Sequence, residues 1–202
     1  LALPAGTGGT PPATDASFGT PTPGSIVLRV GTEAQLTAAI DQANAGTTPG
    51  PLAIEFTNDI TLMGANDLPV LQGSSPVTIL GQGHTLDGND FVRGLMVLGG
   101  NAAIEDLTIA DTVASGGMGG IGASGGGGGA GLGGGLMVAG GANVLLADVH
   151  FSNDAAQGGE GGISGAYGEG YGGGGGLGGS GGNTASSLVG LSGGGGGIGA
   201  QA

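Results

Sequence analysis

The side chains able to move protons or hold cations are few in this 202-residue chain: fifteen Asp and Glu, two His and two Arg, with no Cys. Oxygen donors crowd at Asp87-Gly88-Asn89-Asp90 and at Asn153-Asp154. A hard cation such as calcium takes about six to eight oxygens, so Asp87, Asn89, Asp90 and Asp154 are the residues that could bind one. Neither the calcium-binding nonapeptide Gly-Gly-x-Gly-x-Asp nor an EF-hand loop occurs, and Asp-Gly-Asn clusters are also what turns are made of. Turn chemistry accounts for both segments, and calcium is left open as the sole metal candidate.

Catalytic arrangements fare less well. Glycoside hydrolysis needs two carboxylates facing each other about 5–10 Å apart, and a polysaccharide lyase needs a base beside a cation. Glu105 and Asp106 are adjacent, and in an extended strand they would point to opposite faces. Asp111 with Asn153 or Asp154 is a better pair, yet each also suits a turn. His84 and His150 are single and fall on outward positions of strand-like segments, Arg29 and Arg93 lie far apart, and there is no Trp to stack a sugar. No residue is nominated as catalytic, no organic cofactor is expected, and the chain reads as a non-enzyme.

The formal charge of −13 narrows partners further. Nucleic acid and anionic lipid both require clustered cations, which are absent. A chain without cysteine cannot use disulfides or thiolate metal sites. No apolar run approaches the roughly 20 residues that span a bilayer, and the opening Leu-Ala-Leu-Pro-Ala-Gly reads as the stub left by a removed export signal.

The elements that must position these residues change character along the chain. Residues 1–24 are rich in Pro, Thr, Gly and Ala and read as an extended leader. Ser25-Ile26-Val27-Leu28-Arg29-Val30 is the first strand. Thr32-Glu33-Ala34-Gln35 is a capping box, followed by Leu36, Ala39, Ile40 and Ala43 at helical spacing and by Gly46 as a stop, so a helix is predicted over 32–45. Short period-two segments follow at 53–56, 60–62, 77–80 and 84–86.

Of 55 glycines, 39 fall from Ser115 onward. The tracts 116–135 and 158–182 lack the P-loop pattern and any strand-to-helix context, which excludes a phosphate cradle. They fit either flexible linkers or extended three-fold glycine helices packed through their backbones.

An internal repeat organises the later part. Gly94-Leu95-Met96-Val97-Leu98-Gly99-Gly100 returns as Gly135-Leu136-Met137-Val138-Ala139-Gly140-Gly141, and Leu107-Thr108-Ile109-Ala110-Asp111 returns as Val149-His150-Phe151-Ser152-Asn153. An interval of about forty residues is a stacking signature. Leu107 and Ile109 should lie against Val149 and Phe151, with the glycine tracts inserted between, and the helix should bury its Leu36/Ile40 stripe on an open end. The expected class is all-β, a right-handed parallel β-helix (β-solenoid) with an N-terminal capping α-helix and glycine-rich loops packed as polyglycine II helices.

The run from Val30 to Asn44, then Ile54-Glu55-Phe56, Ile60-Thr61-Leu62 and Val77 to Gly88, resembles the start of secreted bacterial right-handed parallel β-helix proteins. Gly131-Leu132-Gly133-Gly134-Gly135-Leu136-Met137-Val138 with Val149 to Ala156 is similar to repeats of autotransporter-like and polymorphic outer-membrane passenger domains. The resemblance covers roughly 25–162 and implies export to the cell surface and an adhesive or structural role. It departs from a whole autotransporter in having no membrane β-barrel, so a piece of a longer chain or a separate anchor is expected.

The sequence therefore predicts a leader at 1–24, a cap and first strands at 25–114, and a continuing glycine-rich part at 115–202 belonging to a longer assembly. The expected function is that of a secreted or surface-displayed bacterial structural protein, an adhesin passenger or extracellular fibre subunit. Its partners would be copies of itself or further repeats of a longer chain, together with an unidentified surface ligand. The alternative is a polysaccharide-binding or polysaccharide-degrading β-helix protein.

Overall fold

The computed structural model describes residues 20–64, 67–164, 171–177 and 179–183. Nearly all of the predicted leader lies outside them. β1 (Ile26–Val30) leads into α1 (Glu33–Ala45), where the Thr32 side-chain oxygen accepts from the Gln35 amide at 3.3 Å and the Gln35 side chain accepts from the Gly31 amide at 2.9 Å. Gly46 ends the helix in the left-handed region, which relieves the last carbonyls without a Cβ clash. Leu36, Ala39, Ile40 and Ala43 are all buried, as their spacing requires.

The strands that follow are β2 (Leu52–Phe56), β3 (Ile60–Thr61), β4 (Val77–Leu80), β5 (Thr85–Asp87), β6 (Leu95–Val97), β7 (Gly100–Ala110), β8 (Val113–Ser115), β9 (Leu136–Val138), β10 (Ala142–Ser152) and β11 (Ala155–Gln157). All named pairs are parallel. One seven-stranded sheet contains β1, β2, β4, β7, β5 and β3 in that order, with β10 added on β7; β8 pairs β11 and β6 pairs β9 separately.

The expected all-β solenoid class is corrected by this arrangement. The described residues form a mixed α/β fold, a mostly parallel seven-stranded sheet with one helix, and no closed solenoid is present among them. Two physical causes are visible. The helix is more than a lid, because its four buried residues belong to the same hydrophobic cluster as Ile54, Ile79 and Ile104. The eleven-residue β7 also passes through a corner at Asp106 (φ 50°), so that one strand pairs β4 before the corner and β5 after it and draws both into one sheet.

Register carries the stacking. Ile54 lies on Ile79, Ile79 on Ile104 and Ile104 on Leu146. Leu107 and Ile109 lie on Val149 and Phe151, as the repeat requires, with an interval of 42 residues where the first strands use 26. The longer interval accommodates the first glycine tract. β6 and β9 keep the repeat's own alignment, Leu95 on Leu136, but Gly100 faces Ala142 rather than Gly141. Gly141, at φ 92°, absorbs the extra residue in a conformation that an L side chain resists.

Burial of this register sets the stability of the sheet. Leu107 is 1% exposed, and truncating a buried leucine costs about 2–5 kcal/mol through lost transfer energy and the cavity left. Leu145, on the outward face of β10, is 58% exposed. Leu107→Ala should lower unfolding stability by about 2–5 kcal/mol and Leu145→Ala by less than about 0.5 kcal/mol, measured by urea denaturation. Equal losses would contradict the assigned faces.

Candidate functional site

The acidic turn residues serve the backbone first. Asp87 accepts from the Asn89 amide at 2.7 Å, and Asn89 and Asp90 both adopt positive φ. The Asp90 amide donates to the Asp111 carbonyl at 2.7 Å, and the Asn153 side-chain amide donates to Asp111 Oδ1 at 3.0 Å. Asp111 and Asn153, at φ 51° and 58°, thus form a stacked pair of left-handed corner residues. Asp and Asn tolerate this region better than most residues because their short polar groups bond locally.

Asp154 is engaged differently. Its Oδ1 accepts from both the amide and the hydroxyl of fully buried Thr112, at 3.1 and 2.6 Å, and its Oδ2 is buried without a hydrogen-bond partner. Of the four calcium candidates, the structure brings Asp87 and Asn89 into one turn with Asp90 following, and holds Asp154 on Thr112. Among the described residues no group of three or more His, Cys, Asp or Glu is placed to hold a metal ion.

Both arginines have acidic partners that sequence proximity could not show. Arg29 Nε lies 3.4 Å from Glu55 on the neighbouring strand. Arg93 is buried, with Nε 3.4 Å from Asp67, whose other oxygen accepts from the Arg93 amide at 3.2 Å. His84 meets Asp59 at 3.2 Å and exposed His150 meets Asp148 at 3.4 Å. The Thr85 amide, with the His84 side chain, holds the Asp59 carboxyl below its ordinary value of 3.8. Asp59 therefore favours the folded state above that value, and the contribution disappears as pH falls through its lowered pKa.

Among the described residues, the glycine tracts are cross-bonded through their backbones. Gly116, Gly119 and Gly122 donate to the carbonyls of Gln157, Glu160 and Ile163, so donors and acceptors both advance by three. Gly126 and Gly129 donate to Gly120 and Gly117, which donate in turn to Gly173 and Gly176; here one member rises by three as the other falls, so these segments run antiparallel. Three residues per turn without internal hydrogen bonds is the geometry of an extended polyproline II helix, whose amides must find partners in other segments. A side chain would break the packing: a Cβ on Gly120 would collide with the Gly182 carbonyl oxygen, whereas a Cβ on Gly127 meets nothing within 4 Å.

A third feature was not identified from the sequence. An uncharged groove of about 680 Å³ runs over the ends of β4, β7 and β10, lined by Val77, Ala102, Leu136, Val138, Val144 and Leu146 among others. Its signal was present in the second half of the repeat, where Ala102 and Ile104 give way to Val144 and Leu146 without loss of apolar character.

The chain matches no family model, no curated protein and no solved structure.

The array yields a discriminating pair of substitutions. Gly120→Ala should speed amide hydrogen exchange at Gly117, Gly126 and Gly173, while Gly127→Ala leaves it unchanged. Wild-type exchange in both variants would show that close backbone packing does not hold the tracts.

Proposed function

We propose that this chain is a non-enzymatic structural protein displayed outside a bacterial cell, serving as an adhesin passenger or as a subunit of an extracellular assembly. The observation that carries the reading is the cross-bonded glycine array. It cross-bonds described residues of both tracts through their backbones, in a part of the chain with few side chains available for chemistry. Such an array suits broad contact and mechanical support. The parallel sheet supplies a rigid base, because each strand is tied to its neighbour by evenly spaced backbone bonds.

Charge is consistent with this role. At −13 the chain repels nucleic acid and anionic lipid, and like charge keeps copies soluble until an uncharged face meets its partner. The turn carboxylates act as structural acceptors for backbone and side-chain donors, and the two arginines neutralise Glu55 and Asp67.

Labelling intact producing cells with an antibody to the chain, before and after brief external protease treatment, tests the reading. Surface labelling that protease removes is expected. Labelling only after lysis, or depolymerisation of an acidic polysaccharide by the purified protein, would overturn it.

A further inference from the structure

Two charged side chains that stand 26 residues apart in the sequence meet on the outward face of the sheet. β1 alternates, so Leu28 and Val30 pack toward the core while Val27 and Arg29 are exposed. Register places Glu55 of β2 beside Arg29, and Arg29 Nε lies 3.4 Å from its carboxylate. The pair lines a groove of about 440 Å³ together with Val27, Gln82 and the Thr20-Pro21 segment that leads into β1. That volume falls within the roughly 300–1,000 Å³ of small-ligand sites. Of the chain's two arginines, Arg93 is buried beside Asp67, whereas the Arg29 side chain is 72% exposed. An exposed ion pair adds little to two strands already joined along five registered residues.

We propose that this groove binds the hydroxyls of a neutral sugar unit, a hexose of a glycan on the surface to which the protein attaches. The charges at the site select that class. A carboxylated or sulfated ligand would meet Glu55 beside Arg29 on a chain of net charge −13, and a cationic ligand would meet the guanidinium. A sugar hydroxyl both donates and accepts. The pair complements each role, because Arg29 directs Nε to Glu55 and keeps its Nη groups as donors, while the Glu55 carboxylate accepts. Hydrogen bonds to ionised groups are about twice as strong as those between neutral ones. Neighbouring hydroxyls of one ring can thus be held by the two side chains together, with Pro21 and Val27, the latter 38% exposed, as an apolar surface for the ring's C–H groups.

Among the described residues the lining includes no aromatic ring, so each copy should bind weakly, with a Kd of about 1 mM or above. Adhesion through many displayed copies tolerates weak sites, because one contact raises the effective concentration of the next. This rests on the structural reading above and names the class of surface ligand that the protein would hold.

Heteronuclear NMR of the isotope-labelled full chain, titrated with methyl glucoside, methyl galactoside and methyl mannoside, tests it, with oligogalacturonate as the anionic control. Saturable shifts at the Val27, Arg29 and Glu55 amides and at the Arg29 Nε–H are expected with at least one of the three sugars, and weaker binding with oligogalacturonate. Arg29→Ala should weaken sugar binding by about tenfold with unchanged circular dichroism, while Met63→Ala, away from the groove, should not. Glu55→Gln, which keeps the shape and leaves Arg29 uncompensated, should turn the preference toward oligogalacturonate. No saturable shift with any of the three sugars, shifts confined to residues outside the groove, or tighter binding of oligogalacturonate by the wild-type chain would each overturn the proposal. Sugar binding by a protein confined inside the cell would sink the surface role and leave the site standing; a surface protein that binds none of the sugars would do the reverse.

Discussion

Parallel backbone pairing in a fixed register is the constraint on which the rest of this structure depends. Side chains alternate between faces along a strand, so a slip of one residue would move Ile54, Ile79 and Ile104 from the core to the surface. The register therefore determines which residues can be apolar and where the chain must turn. Asp106 and Asp148 at positive φ mark one corner, Asp111 and Asn153 the next, and each pair is separated by the same 42 residues as the strands between them. Of the carboxylates that resemble cation ligands in the sequence, Asp87 closes a turn on the Asn89 amide and Asp154, next to the Asn153 corner, is held by Thr112.

The glycine tracts follow from the same constraint. A chain that leaves β8 must return at β9 with Leu136 over Leu95, whatever happens between. Extended glycine segments meet this requirement compactly, because amides such as those of Gly116, Gly119, Gly126 and Gly129 find carbonyls on other segments and positions such as Gly120 leave no room for a Cβ. Backbone groups hidden without partners would add a desolvation cost to the conformational entropy lost in ordering the segments. The second tract then bonds to the first, as Gly159 to Gly129 and Gly162 to Gly126. The two insertions are one structure.

Much of the local structure was legible in the residues. The Thr32 cap, the Gly46 stop, the buried stripe of α1 and the stacking of Leu107 and Ile109 on Val149 and Phe151 all follow from local chemistry or from the repeat. The class did not. Period-two segments cannot reveal that β7 is one bent strand joining two sets of partners, or that the helix shares a single core with the sheet. Arg93 was equally hidden, since its partner Asp67 lies 26 residues earlier and its burial depends on tertiary packing. The apolar layer on β10 was written in the repeat, but only register pairs buried Ile104 with Leu146, which is 42% exposed among the described residues.

The stacking of β10 on β7 depends on the 42-residue register. Nuclear Overhauser contacts between backbone protons of paired strands in isotope-labelled protein measure it directly. Parallel-strand contacts linking Ala102 with Val144, Leu107 with Val149 and Ile109 with Phe151 are expected. Contacts shifted by one residue, antiparallel contacts, or none between these segments would contradict it.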